Sequence, residues 1–271
     1  MNGEIAQCVA FTCHAKAFIT GFSTNVPDLD HSTTRFCNQV SFQKTYKPLF
    51  RKQKQRILAE TTAQWFDLLR RRKARRLVLH RIAGNEPGFS DRMLAGLTGG
   101  GGTWLIEDQS SLVPTLWIPR WTVSRKGATD NRIWSVDYFE YEGHIPTSRK
   151  TRDVHTASQK LEQALSAVID FCVAQNNPSD FQDSFTTAKN TLNQGDLNGY
   201  HQDLAPEDWL PEAAQRLLDA CQSSWVFGGM GSWNDMSFNG NAQMEYERVS
   251  ENLYNAVCEA IQASVNHDIP E

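Results

Sequence analysis

Two hydrophobic periodicities divide this chain near residue 150, and that division constrains its fold more than any other feature. After residue 150 apolar residues recur every three or four positions, as in DVHTASQKLEQALSAVIDFCV (153–173). Before it, short stretches rich in aromatic and β-branched residues show alternation. The first spacing puts apolar residues on one helix face, whereas alternation is typical of half-buried strands. Strands followed by helices predict an α+β fold, with an antiparallel sheet formed mainly by the N-terminal half and C-terminal helices packed on one face.

Individual elements follow from the same patterns. The predicted strands of the first half are IAQCVAFTC (5–13), FCNQVSF (36–42), RRLVLHRI (75–82), TLWIPRWTVSRK (115–126) and RIWSVDYFEYE (132–142). The last two form a predicted hairpin. Pro114 and Pro119 place the first strand of that hairpin at a sheet edge, because proline has no N–H for a second neighbour. Between the strands, Thr61 or Thr62 caps a helix.

The second half is predicted to hold four helices. Asp153 caps the first helix and Ser179 opens the second, while Pro211 suits the first turn of the third. The fourth helix spans about residues 242–265. We expect residues 1–271 to form a single domain that is strand-rich over 1–150 and helical over 151–271.

Composition narrows the class of protein. No apolar run approaches the roughly 20 residues that a membrane helix needs, and MNGEIAQCVAF lacks the basic start of a signal peptide. The six cysteines form no C-x-x-C pair, and Cys8, Cys13, His14, His31 and Cys37 match no metal-ligand spacing. We therefore expect reduced, buried thiols in a cytoplasmic protein, with no membrane contact, no metal and no cofactor.

Charge is distributed unevenly. Residues 1–150 hold 22 Lys and Arg against 13 Asp and Glu, whereas residues 151–271 hold 5 against 18. The densest basic segment is 47–81, and its core is a predicted basic surface of Arg70, Arg71, Arg72, Lys73, Arg75 and Arg76. Three interpretations stay open for it: a solvated end of a helix, a docking surface for the acidic half, or a phosphate-binding stripe.

The stretch SSWVFGGMGSWNDMSF (223–238) is the main candidate for a site. As a corner between helices, Gly228 or Gly229 would take the left-handed position that ends a helix, with Asn234 and Asp235 providing turns. As a ligand-binding loop, its glycines would bring backbone N–H groups close to a ligand. The candidate residues are Gly228, Gly229, Gly231, Ser232, Trp233, Asn234 and Asp235. No base adjoins Ser232 in the sequence, so a nucleophilic serine is not expected here.

Two further segments supplement this loop. Gly99–Gly102 precede a strand and lack the lysine of a phosphate loop, so they predict a flexible connector or lid. If this run meets the 228–235 loop in space, the two would form the best available cleft. In GYHQDLAP, His201 lies beside Tyr200 and Asp203, which makes an acid–base cluster another candidate.

Four segments, FTCHAKAFITG, LTGGGGTW, GYHQDLAP and WVFGGMGSWNDM, occur in an order that resembles a family of uncharacterised bacterial proteins. The shared landmarks run along most of the chain. The resemblance implies a bacterial cytoplasmic origin and a single cooperative unit. It brings no activity, cofactor or catalytic residue.

The sequence thus favours a non-catalytic binding or interaction protein, of an accessory or immunity type, with a protein partner. Its charge separation motivates this prediction, together with the lack of any recognisable catalytic motif. One alternative is a nucleic-acid-associated protein that uses segment 47–81. The other is an enzyme with a cleft at Gly99–Gly102 and Gly228–Asp235.

Overall fold

The computed structural model describes residues 1–46, 54–146, 153–176, 180–197 and 199–267. Its helices are α1 (Gly3–Ile19), α2 (Thr62–Arg71), α3 (Asp91–Leu94), α4 (Val154–Ala174), α5 (Asp180–Leu192), α6 (Glu212–Ser223) and α7 (Asn241–Asn266). Its strands are β1 (Cys37–Tyr46), β2 (Lys54–Ala59), β3 (Leu77–Ile82), β4 (Thr103–Asp108), β5 (Thr115–Val123) and β6 (Trp134–Glu142).

The six strands form a sheet in the order β2-β1-β6-β5-β4-β3. Strands β3 to β6 are an antiparallel meander, and β1 and β2 are an antiparallel hairpin. The hairpin joins the meander through a parallel pairing of β1 with β6. C-terminal helices pack against this sheet, so the α+β prediction is confirmed, with one parallel pair added.

The helices form two layers on one face of the sheet. Helices α1, α2 and α7 lie directly on the strands, and α4 and α6 pack on α7 from outside. The buried core therefore contains side chains from both halves of the chain, such as Phe11, Trp65 and Trp117 beside Leu253 and Ile261.

The predicted strand at 5–13 is wrong, because these residues lie in α1. Every side chain from Ile5 to Ala17 is buried, so α1 has no polar face and shows no amphipathic period. A continuous apolar run does not distinguish a buried strand from a buried helix by its pattern. Asn2 starts the helix by accepting a hydrogen bond from the N–H of Ile5 at 3.0 Å.

The edge position predicted for β5 is also wrong, since β5 lies between β4 and β6. Strand β4 pairs with β5 only from Thr115 to Trp117, whereas β6 pairs with it along its whole length. Pro119 lies beyond the last β4 pair. The ring therefore sits where β5 has one neighbour, and the N–H that proline lacks is not needed.

Most helix starts follow the prediction. The side chain of Thr61 accepts from Gln64 N–H at the start of α2, and that of Asp153 accepts from Thr156 N–H at the start of α4. Pro211 precedes α6 as its N-cap instead of lying in the first turn. Ser179, the predicted start of α5, lies outside the described residues.

All six cysteines are free and buried, as predicted for thiols within a core. Across the described ranges, no helix is both long and apolar enough to cross a membrane.

Candidate functional site

The 223–238 loop is largely a structural corner. Helix α6 ends at Ser223, and its C-cap, Ser224, has right-handed geometry, so neither Gly228 nor Gly229 terminates the helix. The left-handed residue of this loop is Gly231, with a φ of +80°. It precedes Ser232, which caps a single 3-10 turn at Trp233–Asp235.

The polar residues after Gly231 face the protein, not a ligand. The carboxylate of Asp235 accepts from the N–H of Ser232 at 3.2 Å, which completes a capping box. Asn234 exchanges two hydrogen bonds of 2.9 Å with Arg92. Trp233 is fully buried, and its indole N–H donates to Ser250 Oγ at 2.7 Å. These residues hold the corner in place.

The 228–235 loop meets the segment just before the Gly99–Gly102 run, and Gly99–Gly102 themselves do not line the cavity beside it. A β-carbon at Gly96 would overlap the carbonyl group of Gly228, so only glycine permits this approach. Gly101 is also closely packed, because Tyr254 donates its hydroxyl proton to the Gly101 carbonyl at 2.6 Å. The 99–102 run is thus anchored to α7, which contradicts the expectation of a flexible connector.

A cavity of about 420 Å³ lies beside this meeting point. Its walls include Ala95–Thr98, Phe227–Gly229, the first turn of α1 and four aromatic side chains from separate segments: Phe36, Trp121, Trp134 and Tyr200. This volume lies within the usual range for small-molecule pockets. Gly228 and Gly229 therefore line a pocket, whereas Gly231 and the residues up to Asp235 do not.

The polar wall of the cavity is formed by Ser32 and His201. His201 Nδ1 lies 2.7 Å from Ser32 Oγ, and the same hydroxyl is hydrogen-bonded to the carboxylate of Asp203. The carboxylate also accepts from the Ser32 N–H at 3.0 Å. His14 and His31 contact the Asp203 carbonyl oxygen at 3.0 and 2.8 Å. Of the predicted cluster, His201 and Asp203 therefore meet through a serine that the sequence did not indicate, whereas the Tyr200 hydroxyl binds Arg35.

Proton positions follow from the environment of each group. Burial lowers the pKa of His201 to about 4, so the imidazole is neutral at physiological pH. Burial opposes the charge on Asp203, but hydrogen bonds from Ser32 prevail and lower the pKa of Asp203 below its usual value. The ionised carboxylate accepts the Ser32 hydroxyl proton, so His201 Nδ1–H donates to the serine oxygen. His201 Nε2 is then an acceptor, and it has no partner among the described residues.

This arrangement is a poor catalytic pair. A base with a pKa of about 4 takes up the proton of a serine hydroxyl inefficiently at neutral pH. In a catalytic triad the acid orients the histidine, whereas here Asp203 binds the serine. Burial also raises the pKa of the Cys37 thiol on the cavity wall to about 11, so that thiol is protonated and unreactive.

Lowering the pH from 6.5 to about 4 should lower the free energy of unfolding. In this window the unfolded state protonates His201, at its ordinary pKa of about 6.5, while the folded state does not. More protons on the unfolded state mean that stability falls as pH falls. Urea titrations of wild type and His201→Phe should show a weaker pH dependence in the variant; equal slopes would contradict the assignment of a neutral, buried His201.

The predicted basic surface lies at the other end of the sheet from the cavity. Trp121 and Trp134 border the cavity near the β5–β6 turn, whereas Arg72 binds Glu140 near the end of β6.

The other members of the predicted basic surface differ in exposure and pairing. Arg70 pairs with Asp67. Arg71, Lys73 and Arg75 are exposed, and Arg76 is half-buried. Residues 47–53 of the basic segment lie outside the described residues.

The structure does not support docking of this surface on the acidic half, because α2 packs on α1, β1 and β2 and the partner of Arg72 is on β6. Instead, Arg92 joins the two halves through Glu247 and Glu251 of α7. Within the described ranges, no group of three or more His, Cys, Asp or Glu is arranged to hold a metal ion.

Comparison with known proteins gives no match: no family model, no curated protein and no solved structure is significantly similar to this chain. The resemblance to a bacterial family therefore stays a prediction from its motifs.

Proposed function

We propose that this protein is a non-catalytic binding protein whose ligand is a small aromatic molecule that carries a hydrogen-bond donor. The observation that carries this proposal is a cavity lined by four aromatic side chains, with His201, whose Nδ1 is held by Ser32, on its wall. A binding protein is also what the sequence led us to expect. The binding site, however, is a pocket built from several segments instead of the polar residues 232–235.

The aromatic walls favour a flat, apolar ligand. Trp121 and Trp134 meet edge to face, with ring centroids 5.9 Å apart, so both offer ring surface near the same part of the cavity. Aromatic pairs prefer offset or edge-to-face contacts, which an aromatic ligand would extend. At the rim, the Arg35 guanidinium lies 4.8 Å from the Phe36 ring centroid and is hydrogen-bonded to the Tyr200 hydroxyl. This contact orders the rim.

The polar groups favour a donor on the ligand. His201 offers Nε2 as an acceptor, and Glu4 adds carboxylate oxygens at another wall. Glu4 already accepts from the Gly99 N–H at 2.9 Å, and burial raises the pKa of that carboxyl group. A ligand N–H or O–H that donates to His201 Nε2 would gain affinity that a ligand without a donor cannot.

Indole and benzofuran test this proposal, since they share a shape but only indole carries an N–H. We expect indole to bind about fivefold more tightly, because one hydrogen bond contributes about 1 kcal/mol. NMR titrations up to about 5 mM, a range suited to fragment-sized probes, should shift the indole N–H signals of Trp121 and Trp134.

His201→Phe should bring indole down to the affinity of benzofuran while leaving benzofuran binding in place. His155→Phe is the matched control, because His155 is an exposed histidine on α4, far from the cavity lining. Thermal unfolding of each variant checks that it is folded. The proposal fails if neither probe shifts the two tryptophans, or if wild type does not distinguish indole from benzofuran.

A further inference from the structure

In the folded protein, two elements of the basic segment 47–81 carry exposed cations: strand β2 and the end of helix α2. Strand β2 is the edge strand beside β1, and α2 packs on both. Lys54 and Arg56 of β2 are exposed, and so are Arg71, Lys73 and Arg75 at and after the end of α2. We call these five residues the basic end surface: Lys54, Arg56, Arg71, Lys73 and Arg75.

Ion pairs show that the two components are adjacent. Arg72 binds both carboxylate oxygens of Glu140, at 3.0 and 3.2 Å. Lys44 lies 3.9 Å from the same carboxylate and 3.2 Å from Glu142. Arg56 is directly opposite Lys44 in the β1–β2 register. The end of α2 and the β1–β2 edge therefore meet at Glu140.

These neighbouring carboxylates are occupied by Lys44 and Arg72, so they do not neutralise the basic end surface. None of its five members forms an ion pair with a residue that the structure describes. Arg56 is moreover directly opposite Lys44, a cross-strand pair of like charges in which the neighbouring carboxylates bind Lys44 and not Arg56.

Structural roles explain only part of this charge. Cations on β2 protect an edge strand from pairing with other chains, and Arg71 complements the negative end of the α2 dipole. Lys73 and Arg75 come after the helix. Lys73 has a φ of +58°, in the left-handed region where glycine or asparagine is preferred. The backbone conformation therefore does not explain why a lysine is present at this position.

An exposed aromatic ring lies on the same edge. Tyr46 is directly opposite Lys54 in the β1–β2 register and is 44% exposed. Cations that contact a phosphate backbone, together with an aromatic ring on which a base stacks, are the elements of single-strand recognition. A duplex keeps its bases stacked internally and gains nothing from such a ring.

From these observations we infer that the basic end surface binds the phosphate backbone of a single-stranded nucleic acid, with a base stacked on Tyr46. This inference is independent of the aromatic pocket, which lies at the other end of the sheet. Five contacts to a single strand give a log–log salt slope of about −3.5, so affinity should fall about a hundredfold between about 50 and 200 mM salt.

Fluorescence anisotropy with labelled oligothymidylate of about 20 nucleotides tests the inference. Arg71→Gln with Arg75→Gln should reduce the slope to about −2, which leaves roughly a twentyfold loss over the same salt range. Lys54→Gln with Arg56→Gln should do the same from the other component. Arg125→Gln with Lys126→Gln is the control, because it removes the same charge at the β5–β6 turn, at the other end of the sheet.

Tyr46→Ala should weaken oligothymidylate binding about tenfold and leave binding of a duplex of equal length unchanged. The inference is overturned if the control pair weakens binding as much as either test pair, or if duplex binds more tightly than the single strand. Tighter binding to polyglutamate or to phosphatidylserine vesicles than to oligothymidylate would also overturn it, in favour of an acidic protein or a membrane surface.

Discussion

A Trp233→Ala variant should lose about 3–5 kcal/mol of unfolding free energy, the usual cost of removing a buried tryptophan. Trp233 is fully buried, and it contacts Phe181 and Phe185 of α5 and Tyr246 of α7. Its loss would leave a cavity between those helices and would also remove the partner of the Ser250 hydroxyl. Urea unfolding at equal protein concentration measures the difference.

Met230→Ala is the control for this prediction. Met230 lies in the same loop but is fully exposed, so its truncation should leave the midpoint of unfolding unchanged. The structural assignment of the loop would be wrong if Trp233→Ala were as stable as Met230→Ala, because Trp233 would then be free to serve a ligand.

An Arg92→Met variant should lose about 2 kcal/mol, because Glu247 and Glu251, which are 45% and 35% exposed, lose the cation that they share. Arg92 is 2% exposed; its guanidinium binds Glu247, and its Nε–H donates to Glu251 at 3.1 Å. Without the cation, the two carboxylates on adjacent turns of α7 repel each other, and Asn234 loses a partner. Chemical denaturation measures the loss.

Adding Glu247→Gln and Glu251→Gln to Arg92→Met should restore part of the lost stability, because the repulsion is removed with the charges. Arg248→Met is the control, since Arg248 forms an exposed pair with Glu245 on the same helix. If the triple variant were less stable than Arg92→Met alone, repulsion between the carboxylates would not be the cause of the loss.

The fold class was predictable because most elements have one apolar face. Strands β5 and β6 are rich in aromatic and β-branched residues, and α4 and α7 repeat apolar residues every three or four positions, so each pattern indicates its own geometry. Helix α1 was not predictable in this way, since it is buried on every side. The neglected signal was that apolar residues continue past Cys13 to Ile19, which makes a stretch too long for a strand.

The candidate site was predictable only in fragments. Gly228, Gly229 and His201 lie in segments whose composition sets them apart, and each of them lines the cavity. Ser32 and Trp121 carry no local signal, because their role depends on contacts with residues far away in sequence. The Ser32 contact with His201 spans 169 positions, and no local pattern reports a pairing at that separation.

The burial of α1 has a consequence for the order of folding. Lys16 donates to the carbonyl of Val265, 249 positions away, and β1 cannot pair with β6 until residue 142 has been synthesised. During synthesis, at roughly 5–20 residues per second, the most apolar helix therefore emerges long before its neighbour α7 is available. With so many distant contacts, folding should be slow, and the nascent N-terminal segment should depend on chaperones to stay out of aggregates.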